Sequence, residues 1–180
     1  MAHEGKTHDH GLPLPPDGQT PWGEDVREAL RMIDARLGLV RAELWFIDNE
    51  VVTEISAANT PARIASAGIE VTGTTDVVEW SAEDGAVYTG DIDRALNVTL
   101  VALVEPVTNN QRFRTTLRKN GVTLPQFRGT IRTGSGGDLD QVTMVGLVPV
   151  SPGDGLTMWI ENRTSSGNVV VRDLSVLVRE

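Results

Sequence analysis

The 180-residue sequence contains no cysteine. That removes disulfide scaffolding, thiol catalysis and thiolate metal centres together, and leaves the redox compartment open. Histidine is nearly as scarce: the three copies are His3, His8 and His10, so no imidazole lies beyond residue 10. A serine nucleophile elsewhere in the chain therefore lacks the usual proton acceptor. Aromatic residues make up 4%. No apolar run approaches the roughly 20 residues that span a bilayer, and the polar start MAHEGKTHDH offers no apolar segment of a secretory signal. Positive charge is in deficit, with 16 Lys+Arg against 25 Asp+Glu and a net charge of -9. That balance weighs against a protein that works by neutralising a nucleic-acid backbone and against a polybasic membrane anchor. Neither nucleic acid nor membrane is expected as a partner.

What is present falls into four stretches. Residues 1–22 read as an extended arm, because Leu12-Pro13-Leu14-Pro15-Pro16 removes backbone donors and biases the intervening residues toward extended geometry. Leu12, Leu14 and Trp22 are the large apolar groups with which such an arm would bind a partner surface. His3, Glu4, His8, Asp9 and His10 have ligand chemistry but read as a solvated polar tail, so no metal is expected.

Residues 23–55 read as an oligomerisation helix. The apolar positions Val26, Leu30, Ile33, Leu37, Val40, Leu44, Ile47 and Val51 follow one another at alternating steps of four and three, the 3.5-residue repeat of a left-handed coiled coil. Leucine at a with β-branched residues at d suits three or four strands. The flanking charges leave orientation open. A parallel coil sets Arg36 against Arg41 and Glu43 against Asp48, whereas an antiparallel one sets Arg36 against Glu43 and Arg41 against Asp34. Residues 56–68, small and polar, read as a connector.

From residue 69 the apolar period changes to two. Strands are expected over Ile69–Thr75, Asp76–Trp80, Ala86–Thr89, Leu96–Val104, Gln111–Lys119, Val122–Phe127, Gly129–Thr133, Gln141–Val150, Gly155–Asn162 and Asn168–Val178. Turn signals such as Asn120-Gly121 and Pro152-Gly153-Asp154-Gly155 separate them, which predicts a sandwich or jelly roll over 69–180. Two strands are apolar on both faces. Val98, Leu100, Ala102 and Val104 alternate with Val101 and Leu103; Met144, Val148 and Val150 alternate with Val145 and Leu147. A two-layer sandwich buries one face of each strand, so the second apolar face predicts burial against another subunit.

Lys119-Asn120-Gly121-Val122 and the run VSPGDGLTMWIENRTSSGNVVVRDLSVLVR resemble phage-borne jelly-roll modules of the tumour-necrosis-factor and complement type. The shared pattern is the Gly153-Asp154 turn, the apolar strand Leu156 to Asn162, the Thr164 to Gly167 loop and the alternating last strand Val169 to Arg179. It covers roughly residues 90–180. The resemblance implies a mainly β protein in which a C-terminal antiparallel jelly-roll sandwich follows the arm and the coiled-coil-like helix. It also implies a homotrimer on the virion surface, most naturally the phage head, bound to the major capsid protein or another virion protein as a decoration protein or head fibre. The alternative it implies is a fibre-tip module that recognises a receptor or a cell-surface glycan.

Chemistry is sparse. The carboxylate pairs Asp91/Asp93 and Asp138/Asp140 lie beside glycine or in turns, where aspartate is common for backbone reasons. No phosphate-cradling glycine loop is present. A non-enzymatic protein with no catalytic residue and no cofactor is expected. One cluster stands apart: Gln111 to Thr133 holds six basic residues and no acidic one. Arg112, Arg114 and Arg118 share one strand face, with Phe113 and Leu117 on the other. This basic strip reads either as a solvated sheet face or as a strip that meets an acidic partner, such as the protein's own acidic helix or a capsid surface, with no aromatics expected among the arginines.

Overall fold

The computed structural model describes residues 41–73, 77–81, 85–134 and 138–180. These residues form twelve strands and no helix: β1 (Arg41–Phe46), β2 (Val52–Thr53), β3 (Ala62–Arg63), β4 (Glu70–Gly73), β5 (Val78–Ser81), β6 (Gly85–Tyr88), β7 (Arg94–Pro106), β8 (Arg112–Lys119), β9 (Val122–Arg132), β10 (Asp140–Val150), β11 (Gly155–Asn162) and β12 (Val169–Arg179). The first sheet has the order β10-β7-β12-β1-β4, with β2 also on β12. The second has the order β5-β6-β11-β8-β9, with β3 also on β11. Every pairing is antiparallel.

Apart from the β8–β9 hairpin, the chain changes sheet at each step from β6 to β12. That interleaving is the jelly-roll arrangement, in which neither sheet is built from one run of consecutive strands. Alternation follows from the pleat. Leu96, Val98, Leu100, Ala102 and Val104 of β7 point inward and are at most 1% exposed. They meet Phe113 and Leu117 of β8 and Ile160 of β11 in one core cluster. Each of the larger ones, Ala102 apart, contributes about 1.5–3 kcal/mol by leaving water. On one side of the sandwich the edge strands β9 and β10 carry Pro125 and Pro149, which cannot donate to an added strand and so protect those edges.

The helix expected over 23–55 does not extend over 41–55. Arg41–Phe46 pairs with β12 on one side and β4 on the other, and Ala42, Leu44 and Phe46 alternate into the core. The steps of four and three picked out Leu44 and Ile47 but passed over Phe46, whose burial with Ala42 and Leu44 follows a period of two. Leu44 is thus a core residue of the sandwich, and Ile47 is an exposed residue just past β1. Arg41, Glu43 and Asp48 lie in or beside a strand, so they supply no argument about coil orientation. Leu12, Leu14, Trp22, Val26, Leu30, Ile33, Leu37 and Val40 lie outside the described residues. The connector over 56–68 contributes β3, whose Ala62 and Arg63 pair with Ile160 and Trp159. The sandwich therefore draws on the chain from Arg41 onward.

The expected strands Val122–Phe127 and Gly129–Thr133 are one strand, β9. Gly129, the expected first residue of the second of these, lies inside β9 where β10 crosses the sandwich edge: a Cβ there would lie 2.1 Å from Val142 Cγ2. Gly129→Ala is expected to cost about 1–3 kcal/mol through overpacking, measured as a lower midpoint in chemical unfolding.

A polar knot fixes the β8–β9 and β10–β11 turns together. Asp154 accepts hydrogen bonds from Ser151 N (2.7 Å), Lys119 Nζ (3.0 Å) and Asn120 Nδ2 (2.6 Å), and Asn120 Oδ1 accepts from Gly155 N at 2.8 Å. Asn120 and Gly121 both have positive φ, at 49° and 79°, which the Asn-Gly pair adopts at little cost. Burial pushes the Asp154 carboxyl up, but the hydrogen bonds from Ser151, Lys119 and Asn120 outweigh it and hold the group below the usual carboxylate range. A carboxyl depressed on folding stabilises the protein above its unfolded value and loses that contribution as pH falls through its folded value. Asp154→Asn is therefore expected to be destabilised at neutral pH, with the gap to wild type closing below about pH 4, as thermal melts across pH would show.

Candidate functional site

Among the described residues there is no histidine and no group of three or more metal-capable side chains. The features that stand out are the two outward sheet faces, one carrying a group of apolar side chains and one a group of basic ones.

On the first sheet, the outward positions form rows across the strands. Val145 of β10 lies opposite Thr99 of β7, then Leu177 of β12 and Glu43 of β1. The next row runs Thr143, Val101, Ser175 and Trp45, and beyond it Gln141, Leu103 and Asp173. Val145 is 58% and Leu147 61% exposed. Val101, Leu103, Leu177 and Trp45 are half-buried. A shallow depression on this face is lined by Trp45, Ile47, Val101 and Leu103. Single exposed apolar residues such as Val107 or Val122 are ordinary on a protein surface. A connected group spread over four strands is less common. The alternating pattern of β7 and β10 had pointed to Val101, Leu103, Val145 and Leu147. Trp45 and Leu177 escaped it, because pairing across β12 and β1 brings them beside the others.

Polar contacts hold the far side of this face in place. Ser175 Oγ donates to Glu43 Oε1 at 2.8 Å. A bulge between Val171 and Asp173 leaves Arg172 as the extra residue of β12. Its guanidinium pairs with Glu105, which raises its already high pKa further. Asn49, 5% exposed, donates to Val171 O and Ala65 O and so ties the turn after β1 to β12.

On the second sheet the structure places Arg112, Arg114 and Arg118 on the outward face of β8, with Phe113 and Leu117 in the core. Two further arginines join them from β9. Arg132 lies directly opposite Arg112, and Arg128 opposite Thr116. Glu161 of β11, opposite Arg114, is the one carboxylate on the three strands β8, β9 and β11. It bridges Arg114 at 3.2 Å and Arg163 at 3.1 Å. No carboxylate among the described residues lies within 4 Å of the Arg112, Arg128 or Arg132 guanidiniums. The expectation that no aromatic shares this face is corrected by Trp159. It lies opposite Thr116 in register, and the Arg118 guanidinium stacks 4.1 Å from its ring centroid. Trp159 is more than 40 residues away in sequence, so a local reading of β8 cannot place it there.

No protein-family model matches the chain, and no curated protein matches it in sequence. Solved structures do. The chain is similar to the tumour-necrosis-factor protein Eiger from S. frugiperda, at 9% identity and a TM-score of 0.50 over 79% of this chain and 92% of that one. It is also similar to the PRD1 vertex protein, at 12% identity and a TM-score of 0.49 over 78% and 95%. Murine APRIL gives 14% and 0.46 over 78% and 100%. At these identities the likeness is one of fold: the described sandwich is a jelly roll.

Proposed function

We propose that the protein is a non-enzymatic structural protein of a tailed-phage virion, a homotrimer that decorates the capsid or forms a head fibre. The observation that carries self-association is the apolar outward face of the first sheet, where Val145 and Leu147 stand exposed beside Val101, Leu103, Leu177 and Trp45. Three copies turning this face toward a common axis would bury it and leave the second sheet outward. Closed cyclic assembly also removes the open apolar surface that would otherwise drive unlimited association. The heptad-spaced residues Val26, Leu30, Ile33, Leu37 and Val40 would supply a second self-associating seam.

The virion role is supported by the resemblance of residues 90–180 to phage-borne jelly-roll modules and by the proline-set arm. A chain already extended by proline loses less entropy on docking, and Leu12, Leu14 and Trp22 supply the side chains for partner pockets. The arm then binds the capsid and the jelly roll projects. Deleting residues 1–20 is expected to abolish binding to particles that lack the protein while leaving its oligomeric mass unchanged, by co-sedimentation and light scattering. Undiminished binding would move the anchoring role to the sandwich. The alternative reading, a module that recognises a cell-surface ligand, is favoured by one observation, the arginine face of the second sheet.

A further inference from the structure

We infer that the outward face of the second sheet binds an acidic polysaccharide. The inference rests on the preceding reading in one respect: self-association through the first sheet leaves this face at the surface of the assembly. Its β11-β8-β9 part carries six guanidiniums, those of Arg112, Arg114, Arg118, Arg128, Arg132 and Arg163, against the single carboxylate of Glu161, while Glu79 of β5 lies toward the opposite edge of the sheet. This concentration occurs in a chain whose net charge is -9, so it is not the spill-over of a basic protein. Arg112 and Arg132 face each other directly across β8 and β9, a like-charge pairing that costs stability in an antiparallel sheet. Among the described residues no carboxylate lies within 4 Å of the Arg112, Arg128 or Arg132 guanidinium to offset it. An arrangement that weakens the free protein is relieved by a ligand that brings the missing anions.

The chemistry of the face selects the anion. Guanidinium is a planar fork that matches carboxylate or sulfate with two parallel hydrogen bonds. Arginines two apart on β8 are about 6.5–7 Å apart along the strand, and the next strand is about 4.8 Å away, so the face presents a flat grid to a long, regularly charged chain. Nucleic acid fits less well. Duplex DNA carries one charge per about 1.7 Å, and the net negative protein repels so dense a charge. Sugars carrying one acid group each, or fewer, are repelled less. Single strands bind by stacking bases on open aromatic rings, but Trp159, the one aromatic among the arginines, already carries Arg118 on its ring.

The test titrates the full-length protein with polygalacturonate at low and moderate salt, beside neutral dextran and an oligothymidylate of similar length. Wild type should bind polygalacturonate, more weakly as salt rises, and ignore dextran. The triple variant Arg112→Gln, Arg128→Gln, Arg132→Gln should bind roughly 30-fold more weakly, as expected for three exposed charge contacts. Its melting temperature should be unchanged or raised, because the opposed pair is gone. Its mass by light scattering should equal that of wild type, so loss of ligand binding is read separately from loss of assembly. A companion variant with lysine at the same three positions keeps the charge without the fork and should fall between the two. Wild type that fails to bind polygalacturonate overturns the inference, as does a triple variant that binds as well as wild type. Tighter binding of oligothymidylate than of polygalacturonate overturns it in favour of nucleic acid.

Discussion

A Val145→Asp, Leu147→Asp double variant is expected to be a folded monomer at concentrations where wild type is fully assembled. Both side chains are more than half exposed on β10, so in a lone subunit the aspartates remain in water. Surface substitutions of that kind change stability by about 0.5 kcal/mol or less. In the assembly the same positions lose their water. An unpaired charge then costs several kcal/mol after relaxation, and symmetry repeats that cost at every copy of the interface. The association constant should fall by at least about a thousandfold. Light scattering reads the mass, and the circular dichroism spectrum should stay that of a β sandwich. A variant that keeps the wild-type mass would show that the first sheet's outward face is not where subunits meet.

The largest loss of stability is expected from Phe127→Ala. Phe127 is fully buried at the edge where β9 meets β10, and its ring lies 3.0–3.1 Å from where a Cβ on Gly146 would sit. The glycine lets the strand press against the ring, so truncation leaves a cavity walled by backbone that cannot easily collapse. Phe→Ala in such sites costs about 3–5 kcal/mol, a large part of the roughly 5–15 kcal/mol that holds a domain folded. The midpoint of urea unfolding should drop accordingly. A loss below about 1 kcal/mol would mean that the β9–β10 edge is looser than its packing indicates.

How far the fold could be read from sequence depended on the range of the signal. The strand Gly155–Asn162 was found at both ends because Pro152-Gly153-Asp154 opens it and a polar loop closes it. Asn120-Gly121 fixed the β8–β9 hairpin for the same reason, the turn being chosen by the residues that make it. Arg41–Phe46 was misread because eight apolar positions obeyed the coiled-coil period, and one of them, Leu44, satisfied a strand as well. What decided the matter was β12, more than 120 residues later, whose Val176 and Ser175 lie opposite Leu44 and Trp45.

The two faces followed the same rule. Val101, Leu103, Val145 and Leu147 could be identified because each strand alone was too apolar for one buried side. The arginines of β8 were visible as a run without acids. Leu177, Trp45, Trp159 and Glu161 were not, because only strand pairing brings them to those faces. The charge balance of the arginine face is therefore a property of the sheet: Glu161 serves Arg114 and Arg163, and Arg112 and Arg132 are left facing each other.

The central claim is that this jelly roll works as a homotrimer joined through the first sheet. The most direct measurement is the mass of the full-length wild-type protein by multi-angle light scattering at micromolar concentration. The account predicts a single species of three times the 19.5 kDa chain mass. A single species at the mass of one chain would contradict it.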